Sequence, residues 1–483
     1  MLSVYQLRTL QQTLSKSEKR YFRLQAGLQT GDKAYLGLFD WLDAQPADPT
    51  PDAIAADWPP ATLEPARKHL ARTLLKSLRL FESDKDTDTR LAGLLHESRI
   101  LLQRGLTEPG LAHLDRATHL AEQTGRNTYA AQAMKIVLQQ AARDQFADLS
   151  EADLLAWQHR IGEALRREET LHQHTTLYEV LRHRYLHNGP VRNLAERTRL
   201  NDLLLEEYSI MNRYSDDSFE SRRLHLQFQS VYFSMIGDYD GSLPLLMQLD
   251  GLFAENTALG RDAPTDYLYL LDSILTDLRN AGQLAGMPYF LDRFARLPNG
   301  LTLYSRYLEL YHRLNHLADS GQLPEAARLL TTDRAALLAG MVPLPAAFQA
   351  QFRIMAARVL REVGQHGAAL GLVNEVLMAR AERPGPAQYS QARLLAVMIH
   401  VDLGHHDYLE YEVKSVARKL RQGQQLYGVE TATIRYVKSW LAGKPDPNFG
   451  EILARLFENP YERQVILALG LRQWAGQASG QIR

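Results

Sequence analysis

The sequence contains no cysteine, which excludes a disulfide framework, thiolate zinc ligation and a cysteine nucleophile, and fits a reducing compartment. It has no run of 18 uncharged apolar residues, so no stretch reads as a membrane span. The opening MLSVYQLRTLQQTLSKSEKRYF interrupts every apolar run with charge or glutamine and offers neither a signal h-region nor a small-residue cleavage site. A soluble, cytoplasmic protein with no membrane partner is expected. Neither sign of charge is in excess: 55 basic and 56 acidic side chains leave a formal net charge of -1. No global field then draws the chain to nucleic acid or anionic lipid, and any electrostatic partner must meet a local patch. The P-loop, G-x-G-x-x-G, H-E-x-x-H and G-x-S-x-G signatures are missing too, so neither an enzyme activity nor a cofactor is expected.

Strict apolar–polar alternation is nearly absent, while leucine, alanine, arginine and glutamine, which lose little side-chain freedom in a helix, dominate. At 45% hydrophobic and 23% charged, the chain can bury a core, and an all-α protein is expected. From residue 90 to 440 one theme recurs, an amphipathic run, a glycine turn and a second amphipathic run. Gly282, Gly321, Gly364 and Gly404 follow one another at intervals of 39, 43 and 40 residues. Gly237 lies 45 before Gly282, Gly189 lies 48 before Gly237 and Gly105 lies 84 before Gly189, which leaves room for one more turn near QFADLSEADL. That spacing suits two helices of about four turns each with their connections.

The segment Gly237-Asp238-Tyr239-Asp240, with Ser242 five past the glycine, resembles the G-D-Y-x-x-A turn of tetratricopeptide repeats, and Gly321 with Ala326 and Gly364 with Ala369 follow the same pattern. Glycine accepts a left-handed backbone at the helix end, and a small residue five later admits a close helix approach. The departures are a period longer than the family's and Met287 and Leu409 at the small-residue position after Gly282 and Gly404. The resemblance implies a right-handed α-solenoid of TPR-like antiparallel helix hairpins over residues 86–440, with a separate N-terminal helical domain at 1–85 and capping helices at 441–483.

Ser15-Lys16-Ser17-Glu18 is a capping box that predicts a helix from Lys16 towards Gln29. Further helices are predicted over Lys33–Gln45, Ala53–Trp58 and Thr62–Phe81, followed by a linker in ESDKDTDT at 82–89. Two helices broken at Asn459-Pro460 are predicted between Asn448 and Trp474, with Ala475–Arg483 fraying. LSKSEKRYF, GDKAYLGLFDWLD, LLKSLR and the C-terminal ENPYERQVILALGLRQWAGQ together resemble an uncharacterised bacterial family of TPR-like helical-repeat proteins. That resemblance implies architecture and brings no activity.

Three constellations are candidates for function. Tyrosine outnumbers the other aromatics, at 22 against 14 Phe and 5 Trp. Tyr304, Tyr307 and Tyr311, with Arg306 and Asn315 nearby, are placed by their spacing to line a groove that binds a peptide or protein segment. Packing between helices is the bland alternative. Lys68, Arg72, Lys76 and Arg79 share one face of the predicted 62–81 helix, and Lys16, Lys19, Arg20 and Arg23 mark the first. These eight are candidate phosphate contacts in a helix-turn-helix-like domain of a nucleic-acid-associated regulator. Residues 1–82 hold 11 basic and 9 acidic side chains, a net of only +2, so solvated faces or protein contacts compete with that reading. The pairs His183/His187, with Glu179, and His312/His316, with Glu309, have the i, i+4 spacing of metal ligands, but 16 histidines in helical sequence produce such pairs by chance and no metal is expected. The favoured expectation is a non-enzymatic protein–protein interaction scaffold.

Overall fold

The structure, a computed structural model, describes residues 2–28, 33–45, 49–147, 149–213, 218–297, 303–332, 334–379, 385–423 and 426–480. The described residues are all-helical, with no strand among them. No helix among them is long and apolar enough to cross a membrane. The chain divides into two compact units, Met1–Leu165 and Arg166–Arg483. The expected joints at 85/86 and 440/441 lie inside these units.

The first unit opens with α1 (Val4–Thr13), α2 (Lys16–Gly27), α3 (Ala34–Ala44), α4 (Pro51–Asp57) and α5 (Pro60–Phe81). Leu7, Phe22, Leu38, Phe39, Leu70 and Leu74 close a core of their own among these five helices. The capping box at Ser15 is present, with the Ser15 hydroxyl accepting from the Glu18 amide and the Glu18 carboxylate accepting from the Ser15 amide. Ser3 and Gln6 build the same device ahead of α1, a helix that was not among those predicted. Of ESDKDTDT, residues 82–86 form the turn that connects α5 to α6 (Thr87–Gln103), and the last three residues are helical: Asp86 caps α6, its carboxylate accepting from the Thr89 amide at 2.7 Å. Next come α7 (Thr107–Gln123), α8 (Asn127–Arg143) and α9 (Glu151–Asn188), inside which the division between units falls. The further turn expected near QFADLSEADL falls between α8 and α9, with Gln145 and Phe146 at positive φ; Asp148 lies outside the described residues.

The second unit continues through α10 (Leu194–Thr198), α11 (Asn201–Arg213), α12 (Phe219–Met235), α13 (Tyr239–Glu255), α14 (Thr257–Asp262), α15 (Pro264–Asn280), α16 (Met287–Ala295), α17 (Leu303–Asp319), α18 (Leu323–Thr331) and α19 (Arg334–Gly340). It ends with α20 (Ala346–Glu362), α21 (His366–Met378), α22 (Pro386–Asp402), α23 (His406–Gln422), α24 (Gly428–Leu441), α25 (Phe449–Glu458), α26 (Pro460–Leu469) and α27 (Leu471–Gly480).

The glycines that set the sequence period, from Gly105 to Gly404, all have positive φ, between 69° and 79°. At Gly237 the backbone shows why: its amide bonds to Ser234 O at 3.1 Å and the Asp238 amide to Phe233 O at 2.9 Å, the paired bonds of a left-handed helix stop. The position five past each of the last five turn glycines is fully buried, whether Ser242, Met287, Ala326, Ala369 or Leu409. Small size is therefore not the rule there; burial is. The first helix of each of these pairs, α12, α15, α17, α20 and α22, has 17 residues, whereas the second has 17, 9, 9, 13 or 17. The irregular period thus arises in the second helices and connections. First helices pack on first helices, α15 on α17, α17 on α20, α20 on α22 and α22 on α24.

The C-terminal helices depart from the expected terminal cap. There are three of them rather than two, helix continues to Gly480 where fraying was expected, and residues 481–483 lie outside the described residues. Instead of closing only the last pair, α26 packs against α15, α20, α22 and α24. It buries Glu462, Val465, Ile466 and Leu469, and α27 adds the fully buried Trp474.

Candidate functional site

The first helices carry two stretches of different chemistry. One is covered by α26. The carbonyl of Leu467, in the last turn of that helix, accepts from the Gly470 amide at 3.3 Å and also from Arg279 Nη2 at 3.1 Å and Arg358 Nη1 at 2.9 Å. Guanidinium groups at a helix C-terminus also meet the negative end of its dipole. Asp319 sits between the two arginines, 2.5 Å from Arg279 Nε and 2.7 Å from Arg358 Nη2, and Arg358 Nε donates to Glu362 at 2.9 Å. Burial pushes the Asp319 carboxyl up, but the two guanidiniums outweigh it and hold it below the ordinary value. Arg361 donates to Leu469 O at 3.4 Å, and Trp474 Nε1 donates to Asp402 at 2.8 Å. At the other end of α26, Glu462 lies 2.5 Å from Arg192 Nη2 and accepts from the Gly428 amide at 2.8 Å, while Arg192 also holds the buried Glu430. This stretch is built to hold one helix of the chain itself.

The other stretch carries tyrosines. Tyr304 and Tyr311, seven residues apart on α17, are half-buried, and both rings pack against Phe348 of α20, at 5.0 and 6.2 Å between centroids. Gln351 donates to the Tyr311 hydroxyl at 2.9 Å. Two other members of the expected peptide-binding set belong elsewhere. Tyr307 is buried and its hydroxyl donates to Leu337 O at 2.7 Å, because an i+3 offset turns it away from the line through Tyr304 and Tyr311; Asn315 is buried and donates to Tyr311 O one turn earlier. Arg306 is exposed.

Residues outside the expected set complete this stretch. Tyr178, Arg182 and Tyr185 repeat at helical spacing on α9, all half-buried, and Arg182 Cζ lies 4.1 Å from the centroid of the Tyr269 ring of α15. Burial, reinforced by Asp277 and Asp272, pushes the Tyr185 hydroxyl up to about 12. Tyr304 is also pushed up, by burial first and then by Asp272. Asp272 itself lies 2.7 Å from the buried His312 Nε2. In sequence, the i, i+4, i+7 repeat of Tyr178, Arg182 and Tyr185 is the available signal, hidden by the charges around it.

On the N-terminal helices, Lys68, Arg72, Lys76 and Arg79 are all exposed on α5. Lys68 pairs with Glu64 at 3.1 Å, while the other three have no carboxylate partner among the described residues. The α2 stripe is different. Lys16 and Arg20 are exposed, but Lys19 lies 2.5 Å from Asp43 and Arg23 pairs with both Asp40 and Asp43. Two of its four cations are thus neutralised by α3.

His183 and His187 are exposed with stacked rings, and His312 is engaged by Asp272. Burial lowers the pKa of the half-buried His316. Among the described residues no group of three His, Cys, Asp or Glu side chains is arranged to hold a metal ion. No family model matches the chain, and no match is found among curated proteins.

Proposed function

We propose that this protein is a non-enzymatic, cytoplasmic interaction scaffold: a right-handed TPR-like α-solenoid whose first-helix face binds a segment of a partner protein. The observation that carries the reading is the half-buried surface of Tyr269, Tyr304 and Tyr311, with Tyr178 and Arg182 of α9 against it. Tyrosine offers large contact area at low entropic cost together with a hydroxyl for hydrogen bonding, which suits recognition of a protein segment. The cis contact of α26 supports the same reading, since the neighbouring stretch already holds a short helix through apolar contacts and arginine-to-carbonyl bonds. Nothing in this surface pairs a nucleophile with a base, which is why a scaffold is preferred to an enzyme.

Arrays of mixed-sequence peptides probed with the full chain test the proposal. Defined peptides should be captured, and Tyr269→Ala or Tyr304→Ala should weaken them about tenfold or more, the effect of losing an aromatic contact at an interface centre. Capture that ignores both substitutions would remove this face from consideration.

The exposed Arg72, Lys76 and Arg79 favour a second reading, a nucleic-acid-associated regulator that works through α5. In that case the full chain would bind duplex DNA or RNA with affinity falling steeply with salt, and Arg72→Glu/Lys76→Glu/Arg79→Glu would abolish it.

A further inference from the structure

We infer that Arg182, with the hydroxyls of Tyr178, Tyr269 and Tyr304, receives an oxyanion, a carboxylate or a phosphate group, presented by the segment bound on this face. The inference rests on the scaffold reading and names the chemistry of its ligand.

In the second unit, half-buried or buried guanidiniums are matched with carboxylates: Arg184 with Asp202, Arg192 with Glu430 and Glu462, Arg223 with Glu220 and Asp266, Arg279 with Asp319, Arg293 with Asp250, Arg353 with Glu375, Arg358 with Asp319 and Glu362, and Arg393 with Glu412. That is the expected pattern, because withdrawing a cation from water without a counter-charge is costly. Arg182 breaks it. Among the described residues no carboxylate comes within ion-pair reach of it, and the groups that act on it are the hydroxyls of Tyr178, Tyr269 and Tyr304. Arg334 of α19 and Arg463 share the exception; Arg463 Nε is committed to Phe457 O at 3.0 Å and its Cζ lies 5.2 Å from the Phe457 ring centroid, whereas Arg334 has no aromatic ring against it among the described residues.

The geometry leaves Arg182 capacity to spare. Its Cζ stands 4.1 Å from the Tyr269 ring centroid, a cation–π contact that uses none of the five N–H donors of the guanidinium. Phenolic hydroxyls can donate to the same oxyanion. The two carboxylates that act on Tyr178 and Tyr304 are committed elsewhere, Asp266 to Arg223 at 2.9 Å and Asp272 to His312 at 2.7 Å. A half-buried cation set over the Tyr269 ring, with the Tyr178 and Tyr304 hydroxyls acting on it and no counter-charge, is matched by a ligand that brings the charge with it.

The test uses the full chain. Peptides captured in the array are resynthesised with each acidic residue changed to glutamine or to phosphoserine, and affinity is read by fluorescence anisotropy. One glutamate-to-glutamine change should weaken binding on the order of tenfold, as expected for losing a charge-assisted contact, and Arg182→Gln should erase that discrimination. Tighter binding of the phosphoserine peptide assigns a phosphate, weaker binding a carboxylate. In the absence of ligand, Arg182→Gln should leave Tm unchanged or higher, because it removes an uncompensated charge, whereas a fall of more than about 5 °C would make Arg182 a structural residue and overturn the inference. Peptides that need Tyr269 and Tyr304 but ignore both the glutamine change and Arg182→Gln would overturn it while leaving the scaffold reading intact. Failure to capture any peptide through this face would overturn both.

Discussion

Arg358→Met is expected to lower the stability of the second unit by about 3–5 kcal/mol, the usual consequence of removing one partner from a buried ion pair. Arg358 is fully buried and its charge is shared between Asp319 and Glu362, at 2.7 and 2.9 Å. Burial disfavours its charged form, yet the two carboxylates outweigh that and raise its pKa. Methionine fills the volume but leaves Glu362 buried with no strong partner, since Arg361 approaches it only to 4.0 Å. Asp319 retains Arg279. Arg358→Met/Glu362→Gln should therefore recover a substantial part of the loss, because the uncompensated charge is gone, and the recovery measures the coupling between the pair. Urea denaturation of the wild type, the single variants Arg358→Met and Glu362→Gln, and the double variant gives the comparison. Equal losses in the single and double variants would show that Leu467 O, and not Glu362, is the contact that matters.

Asp277→Asn is expected to stabilise the protein, and only at neutral and alkaline pH. Asp277 is buried on α15, where Ser234 Oγ donates to it at 2.5 Å. Burial pushes its carboxyl up to about 7 from the ordinary 3.8, with Asp272 adding to the effect and the Ser234 and Ser242 hydroxyls beside it only partly opposing it. The folded chain therefore holds this proton more tightly than the unfolded chain does. Its contribution to stability is fully present below the unfolded value near 4, declines as pH rises, and is lost once pH passes the folded value near 7. Above that, folding carries the cost of a buried carboxylate, about 4 kcal/mol for a shift of this size. Asparagine keeps the acceptor and has no charge to bury. Denaturation midpoints at about pH 4 and pH 8 should be nearly equal for the two proteins at the lower pH and clearly higher for Asp277→Asn at the upper one. No difference at about pH 8 would mean that Asp277 is ionised at little cost.

Part of this organisation can be read from the chain because it is local. A left-handed helix stop needs glycine, so the spacing of Gly237, Gly282, Gly321, Gly364 and Gly404 marks the helix pairs in the sequence itself. Ser15 and Glu18 mark the start of α2 through bonds only three residues apart. The placement of α26 is not legible. Its contacts, Glu462 with Arg192 and Leu467 with Arg279, join residues about 190 to 270 apart, and arginine in an amphipathic helix looks like a surface residue until its carboxylate is found. The candidate site is legible in part for the same reason. Spacing on α17 brings out Tyr304 and Tyr311, but it cannot turn Tyr307 and Asn315 inward, nor bring Tyr178 and Arg182 from α9 to Tyr269.

In the proposed scaffold the first-helix face is partitioned, one stretch kept by α26 and the other, lined with tyrosines, open to a partner. Hydrogen exchange of the full chain, with and without a saturating captured peptide, tests this most directly. In the free protein the amides of α26 should exchange as slowly as those of α20, and the peptide should add protection over residues 178–185, 267–272 and 304–311 while leaving α26 unchanged. Rapid exchange across α26 in the free protein, or peptide protection confined to α5, would contradict it.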